Sequence, residues 1–291
     1  MAMRNIFSAY TTGLKNSWAQ RKMLFFLYGI NLLFAYLVSL PFAGMVEQAL
    51  DQTAMADKLL QVFDFTALAI LIQDYGRGVS LSWNIFVFAI CYGLLNTLFS
   101  GGIIKIFYSN MNFTFREFWA GCVEYFSRFF KLLLIGLAMI FAVIIFYLLI
   151  SGLVDIMTEN TLTEFWPFVL FGLKLVLLAA VLAWISMLFD YTKIIIVSHD
   201  IKSVFQALSH SFKFIGSHFI KTCGIYIGLV IIGFGLLIIY LGLEHLITTN
   251  TITGIFLFFI VSQFYIIFRI WWRINYYYIQ GKYYLITTAL I

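Results

Sequence analysis

Residues 129–153 read FFKLLLIGLAMIFAVIIFYLLISGL, and between Leu132 and Leu153 no side chain carries a formal charge. A run of about 20 apolar residues is what a helix needs to cross the roughly 30 Å hydrocarbon core of a bilayer. This stretch therefore reads as a transmembrane helix. Five more runs of the same kind lie at 23–43, 81–104, 166–190, 219–243 and 251–273. The composition of the 291 residues agrees, being 63% hydrophobic and only 11% charged. A soluble domain carries about 25% charged residues, so this chain has too little polar surface to face water all round. The expected fold class is all-α, a polytopic membrane helical bundle of six spans forming a single domain over 1–291. The run 59–72, LLQVFDFTALAILI, is too short to span and holds Asp64. It reads as an interfacial or re-entrant helix.

Charge placement orients the bundle. Lys and Arg beside the spans stay on the cytoplasmic side, and of the 18 basic residues only Lys58, Arg77 and Lys174 fall outside four segments. Those segments are the N-terminal arm (Arg4, Lys15, Arg21, Lys22), 105–131 (Lys105, Arg116, Arg128, Lys131), 191–221 (Lys193, Lys202, Lys213, Lys221) and the C-terminus (Arg269, Arg273, Lys282). The alternate loops are acidic, so the expected topology has six spans with both termini in the cytoplasm. The first apolar run is too long for a signal peptide and ends in Pro41-Phe42 rather than a small-residue cleavage site. Trp83 and Trp166 at one face, and Trp119, Trp271 and Trp272 at the other, fit interfacial aromatic belts.

A short segment with an apolar stripe at helical spacing precedes each odd-numbered span. The stripes are Ile6, Phe7, Tyr10, Leu14 and Trp18 in 6–18; Phe115, Phe118, Trp119, Cys122, Phe126 and Phe129 in 115–129; and Ile201, Val204, Phe205, Leu208, Phe212, Ile215 and Phe219 in 201–219. Each predicts an amphipathic helix in the cytoplasmic interface. The recurrence divides the chain at about 1–108, 109–193 and 194–291. Phe7, Gly13, Arg21, Gly29, Phe34 and Ala35 align with Phe115, Gly121, Arg128, Gly136, Phe141 and Ala142. Both an ancestral repeat and the ordinary periodicity of a six-span protein with basic inner loops account for this pattern.

Residues 95–136, LNTLFSGGIIKIFYSNMNFTFREFWAGCVEYFSRFFKLLLIG, carry a Gly101-Gly102 pair at a span end, then an FxxFWxG helix and a basic-aromatic entry to the next span. With DYTKIIIVSHDIKSVFQALSHSFKFI at 190–215, this resembles a broad set of uncharacterised bacterial six-span proteins. That set is similar to the membrane domain fused to some bacterial glycerophosphodiester phosphodiesterases. The resemblance implies a multi-pass protein of the bacterial inner membrane. It implies no enzymatic site, because the soluble phosphodiesterase domain with its metal-binding residues has no counterpart in this sequence.

Few polar side chains fall within the spans. Lys174 lies about 12 Å from the outer end of span four at 1.5 Å per residue, and an uncompensated charge at mid-membrane costs about 2.5–3.5 kcal/mol. It reads as a lysine that snorkels or pairs with Asp155, Glu159 or Glu164, or as an anion site. Asn31, Asn96 and Gln263 share a depth in the inner half, where amides act as interhelical glue or line a polar path. Asp190, at the inner end of span four, is expected to pair with Lys193, Arg269 or Arg273. Gly224, Gly228, Gly233 and Gly235 place small residues along span five and predict close internal packing, with a dimer face as the second reading.

No HExxH, nucleophile and base set, or P-loop occurs. The expectation is no enzyme, no cofactor and no metal. The three cysteines, Cys91, Cys122 and Cys223, read as packing residues. Net charge is +5, and the topology explains it without nucleic acid. The basic inner segments, with Lys15, Arg21, Lys22, Arg116, Arg128, Lys131, Lys202, Lys213 and Lys221 interleaved with aromatics, predict a collar for anionic lipid, a partner protein or a second copy of the chain. The expected role is a membrane scaffold or subunit. The alternative is a small-solute or lipid transporter using Lys174 and the amides.

Overall fold

The computed structural model describes residues 10, 11, 13–15, 17–52, 81–109, 113–158, 165–247 and 251–288. Besides helical residues between 10 and 19, the longer helices are α1 (Arg21–Gln52), α2 (Leu81–Ser109), α3 (Phe115–Thr158), α4 (Phe165–Ser198), α5 (Val204–Ser217), α6 (Phe219–Leu246) and α7 (Ile252–Thr288). No strand occurs among the described residues. Six helices, all but α5, are long and apolar enough to cross a membrane. Each contains most or all of one run read from hydropathy, so the all-α six-span class holds. The 59–72 segment lies outside the described residues.

The helices overrun the spans. α3 has 44 residues, about 66 Å at 1.5 Å per residue, twice the thickness of the hydrocarbon core. The expected interfacial helix over 115–129 is therefore not a separate element. It is the N-terminal third of α3, and the reason is continuity of pattern. Phe118, Cys122, Tyr125, Phe129 and Leu132 are all buried, as is Gly136, and they follow one another at alternating steps of four and three. That is the spacing of a helix-packing seam. The seam runs through the charged boundary at Arg128 and Lys131 without a proline to interrupt it. Along this stretch Tyr125 is buried, Phe126 is half-buried, and Phe115 and Trp119 are exposed.

α5 is a separate helix. The chain turns between α4 and α5 at Asp200, whose φ of 46° lies in the left-handed region, a cap conformation that aspartate adopts more readily than most side chains. Ser203 then caps α5, its hydroxyl accepting from the Gln206 N–H. The expected stripe is split between two faces. Val204, Ala207, Ser211, Phe214 and Ile215 are buried, and Phe205, Phe212 and Phe219 are exposed. Small side chains at Ala207 and Ser211 let α5 close on α4, where the Ser211 hydroxyl donates to the Leu188 carbonyl at 3.0 Å and Phe214 meets the Tyr191 ring at 5.5 Å. For the third candidate segment, 6–18, the described residues between 10 and 19 are helical and Ile6 and Phe7 lie outside the described set.

The chain divides into two compact units, one of residues 1–12, 97–227 and 277–291, the other of 13–96 and 228–276. In the first unit α2 and α3 cross closely. A Cβ on Gly101 would stand 2.9 Å from the Gly121 carbonyl oxygen, and one on Gly102 would stand 2.7 Å from the Phe118 ring and 2.8 Å from the Cys122 sulfur. Only glycine admits this approach. Span five packs differently from its expected role: a Cβ on Gly224 or Gly235 would meet nothing within 4 Å, while Gly233 faces Trp272. In the second unit the Ser17 hydroxyl donates to the Asn275 side-chain amide oxygen at 2.7 Å, Trp18 meets Trp271 edge to face at 6.2 Å, and Trp272 donates to the Leu229 backbone carbonyl at 3.1 Å.

A basic and aromatic end as the candidate functional site

In the first unit, the ends of the helices that carry the basic segments also carry apolar side chains that the fold leaves outside. On α3, exposed Phe115 and Trp119 flank exposed Arg116. Around α5, Phe205 is 75% exposed and Phe212 57%, beside exposed Lys202 and Lys213. α6 opens with Phe219 and Ile220, the latter 85% exposed, followed by exposed Lys221. Lys131 is exposed as well. In the second unit the same mixture recurs, with Trp18 and Phe25 exposed among exposed Lys15, Arg21 and Lys22. A large apolar side chain gains free energy by leaving water while a lysine or arginine keeps its charge at the boundary. The headgroup layer of a bilayer accommodates both.

Arg128 differs from the rest of the expected collar. Its guanidinium bonds to Asp200 at 2.5 Å, reaches the Ile201 carbonyl at 3.4 Å, and lies over the Tyr125 ring at 5.3 Å. It thus clamps the α4–α5 turn to α3. The hydrogen bond from Arg128, followed by its charge, holds the Asp200 carboxyl below the ordinary carboxylate range. Lys105 makes a second ion pair with Glu124 at 2.6 Å. Lys193 places its ammonium over the Tyr277 ring at 5.8 Å.

Lys174, Asn31, Asn96 and Gln263 each have a hydrogen-bond partner. Lys174 is half-buried and donates to the Ser151 hydroxyl at 2.9 Å; the side chains of Asp155, Glu159 and Glu164 lie outside the described residues. In the second unit, Tyr92 donates to the Asn31 carbonyl oxygen at 3.2 Å and Tyr28 to the Gln263 carbonyl oxygen at 2.8 Å. Arg273, one of three alternative partners read for Asp190, donates to the Asn96 side-chain amide oxygen. The three amides thus share one unit, and each ties a different pair among α1, α2 and α7. Sequence reasoning placed the amides and missed Tyr28 and Tyr92, because neither tyrosine stands out among 17. Asp190, half-buried, lies within electrostatic reach of Tyr191 and Tyr226.

Two histidines bond to hydroxyl groups, one distant in sequence and one adjacent. His199 Nε2 is 2.8 Å from the Tyr284 hydroxyl, and His218 Nδ1 is 2.8 Å from the Ser217 hydroxyl. Among the described residues no three His, Cys, Asp or Glu side chains are grouped to hold a metal ion.

Fold and composition together define a multi-pass α-helical membrane protein. Compared with family models, curated proteins and solved structures, the chain matches none.

Proposed function

We propose that this protein is a non-enzymatic scaffold or subunit of a bacterial inner membrane, with its basic and aromatic end in the cytoplasm, where it holds anionic lipid headgroups. The observation that carries the reading is the alternation of exposed cations and exposed aromatics on α3, α5 and α6, from Arg116 with Trp119 to Lys213 with Phe212. Each basic residue at an anionic surface contributes about 1 kcal/mol, and the neighbouring rings add apolar burial. The resemblance to six-span membrane domains is in keeping with this reading. The hydrogen bonds of Asn31, Asn96, Gln263 and Lys174 to neighbouring helices favour packing ties over a transport path.

The test is native mass spectrometry of the protein released from nanodiscs of mixed phosphatidylcholine and phosphatidylglycerol. The scaffold reading expects phosphatidylglycerol retained in excess over phosphatidylcholine, and the excess reduced in Lys202→Glu/Lys213→Glu. Equal retention of the two lipids, or an excess untouched by charge reversal, would contradict it.

A further inference from the structure

Within the first unit an open crevice of about 400 Å³ lies between α3 and α4, a volume in the range of small-ligand pockets, about 300–1,000 Å³. Its walls are apolar, formed by Leu133, Leu137 and Ile140 on one side and Leu182, Ile185 and Phe189 on the other, and Lys193 is the one cation among the lining residues. The Phe189 ring faces Gly136, where an added Cβ would rest in ordinary contact with it at 3.4 Å. The lining runs from Phe129 to Ile140 on α3 and from Lys193 back to Leu182 on α4. Eleven helical steps cover about 16 Å, close to half of the roughly 30 Å hydrocarbon core. The crevice is therefore one leaflet long, apolar along its length, and cationic at the end where α4 leaves its expected span.

We infer that this crevice is a binding site for one acyl chain of an anionic phospholipid, whose phosphate meets the Lys193 ammonium. The inference rests on the proposed function in setting Lys193 at the level of the inner headgroups, but it uses none of the exposed collar residues on α5. Depth and charge select the occupant. A bilayer lipid enters sideways between two membrane-spanning helices, and the single cation at the mouth favours an anionic headgroup over a zwitterionic one. Thr97 and Ser186, which also line the crevice, supply hydroxyls beside the apolar walls.

The probe is phosphatidylglycerol carrying a diazirine midway along one acyl chain, doped into phosphatidylcholine nanodiscs holding the full chain. After photolysis, cross-links are mapped by peptide mass spectrometry. The expected result is labelling concentrated on residues 132–140 and 182–189, reduced about fivefold in Lys193→Gln, as the loss of one basic residue at an anionic surface predicts. Leu137→Trp is expected to reduce it too. Leu137 is 54% exposed, so enlarging it narrows the crevice without disturbing the packed core. Lys202→Glu/Lys213→Glu is expected to leave this labelling unchanged, which separates failure of the crevice from failure of the collar. Even labelling of all six long helices, equal labelling by a phosphatidylcholine probe, or wild-type labelling in Lys193→Gln would overturn the inference.

Discussion

The same substitution is expected to act with opposite sign at two glycines. A methyl carbon added at Gly102 would stand 2.7 Å from Phe118 Cδ2 and 2.8 Å from Cys122 Sγ, where carbon atoms ordinarily rest at about 3.5–4.0 Å. α2 and α3 would have to separate, or the Phe118 ring to move, by close to an ångström. Overpacking of that kind costs about 1–3 kcal/mol, against which alanine gains about 0.5–1 kcal/mol over glycine within a helix. Gly102→Ala should therefore destabilise the protein by a net of up to about 2.5 kcal/mol. At Gly224 an added methyl meets nothing within 4 Å, so Gly224→Ala should retain the full gain of about 0.5–1 kcal/mol. The assay is reversible unfolding in mixed micelles with increasing dodecyl sulfate, followed by far-ultraviolet circular dichroism and tryptophan fluorescence. Gly102→Ala at or above the stability of Gly224→Ala would refute the close crossing of α2 and α3.

Three further outcomes follow from individual side chains. Gln280 is fully buried and neither amide atom has a hydrogen-bond partner within the protein; Gln280→Met should raise unfolding stability by about 1–3 kcal/mol, and a loss of stability would show that the amide is satisfied by bound water. Asn96→Leu removes the acceptor of Arg273 and should cost about 1–3 kcal/mol in the same titration, whereas a neutral result would make that bond dispensable. The depressed Asp200 carboxyl contributes stability that is present above its ordinary value of 3.8 and is lost as the pH falls through its lower folded value. Thermal melts between neutral pH and acid should accordingly converge for wild type and Asp200→Asn below that window and diverge above it. Melts that stay equally far apart across the whole range would contradict the Arg128 clamp.

Hydropathy made the spans legible because the bilayer imposes one demand, an uninterrupted apolar helix, that few other structures share. It could not mark the continuation of α3 through Arg128 and Lys131, since a helix leaving the membrane keeps its backbone while its side chains change character. The stripes were legible as helical and not as oriented. On α5 both the buried Phe214 and the exposed Phe205 are apolar, and what decides between them is the small Ala207 and Ser211 on the face that meets α4. Glycines show the same limit. Gly101, Gly102 and Gly121 pack backbone to backbone, while Gly224 stands open, and spacing alone does not distinguish the two cases. Of the basic residues read as a collar, Arg128 is drawn into the fold by Asp200, a residue 72 positions away. The crevice between α3 and α4 had no sequence signature, because its walls are the same Leu, Ile and Phe that line any span.

The account stands on the basic and aromatic end facing the cytoplasmic leaflet. Ser209, exposed on α5, offers the most direct test, as Ser209→Cys in a background with Cys91, Cys122 and Cys223 replaced by alanine. The account predicts that a membrane-impermeant maleimide leaves this thiol unlabelled in intact cells and labels it in inside-out vesicles. Labelling in intact cells would place the collar outside and contradict the proposal.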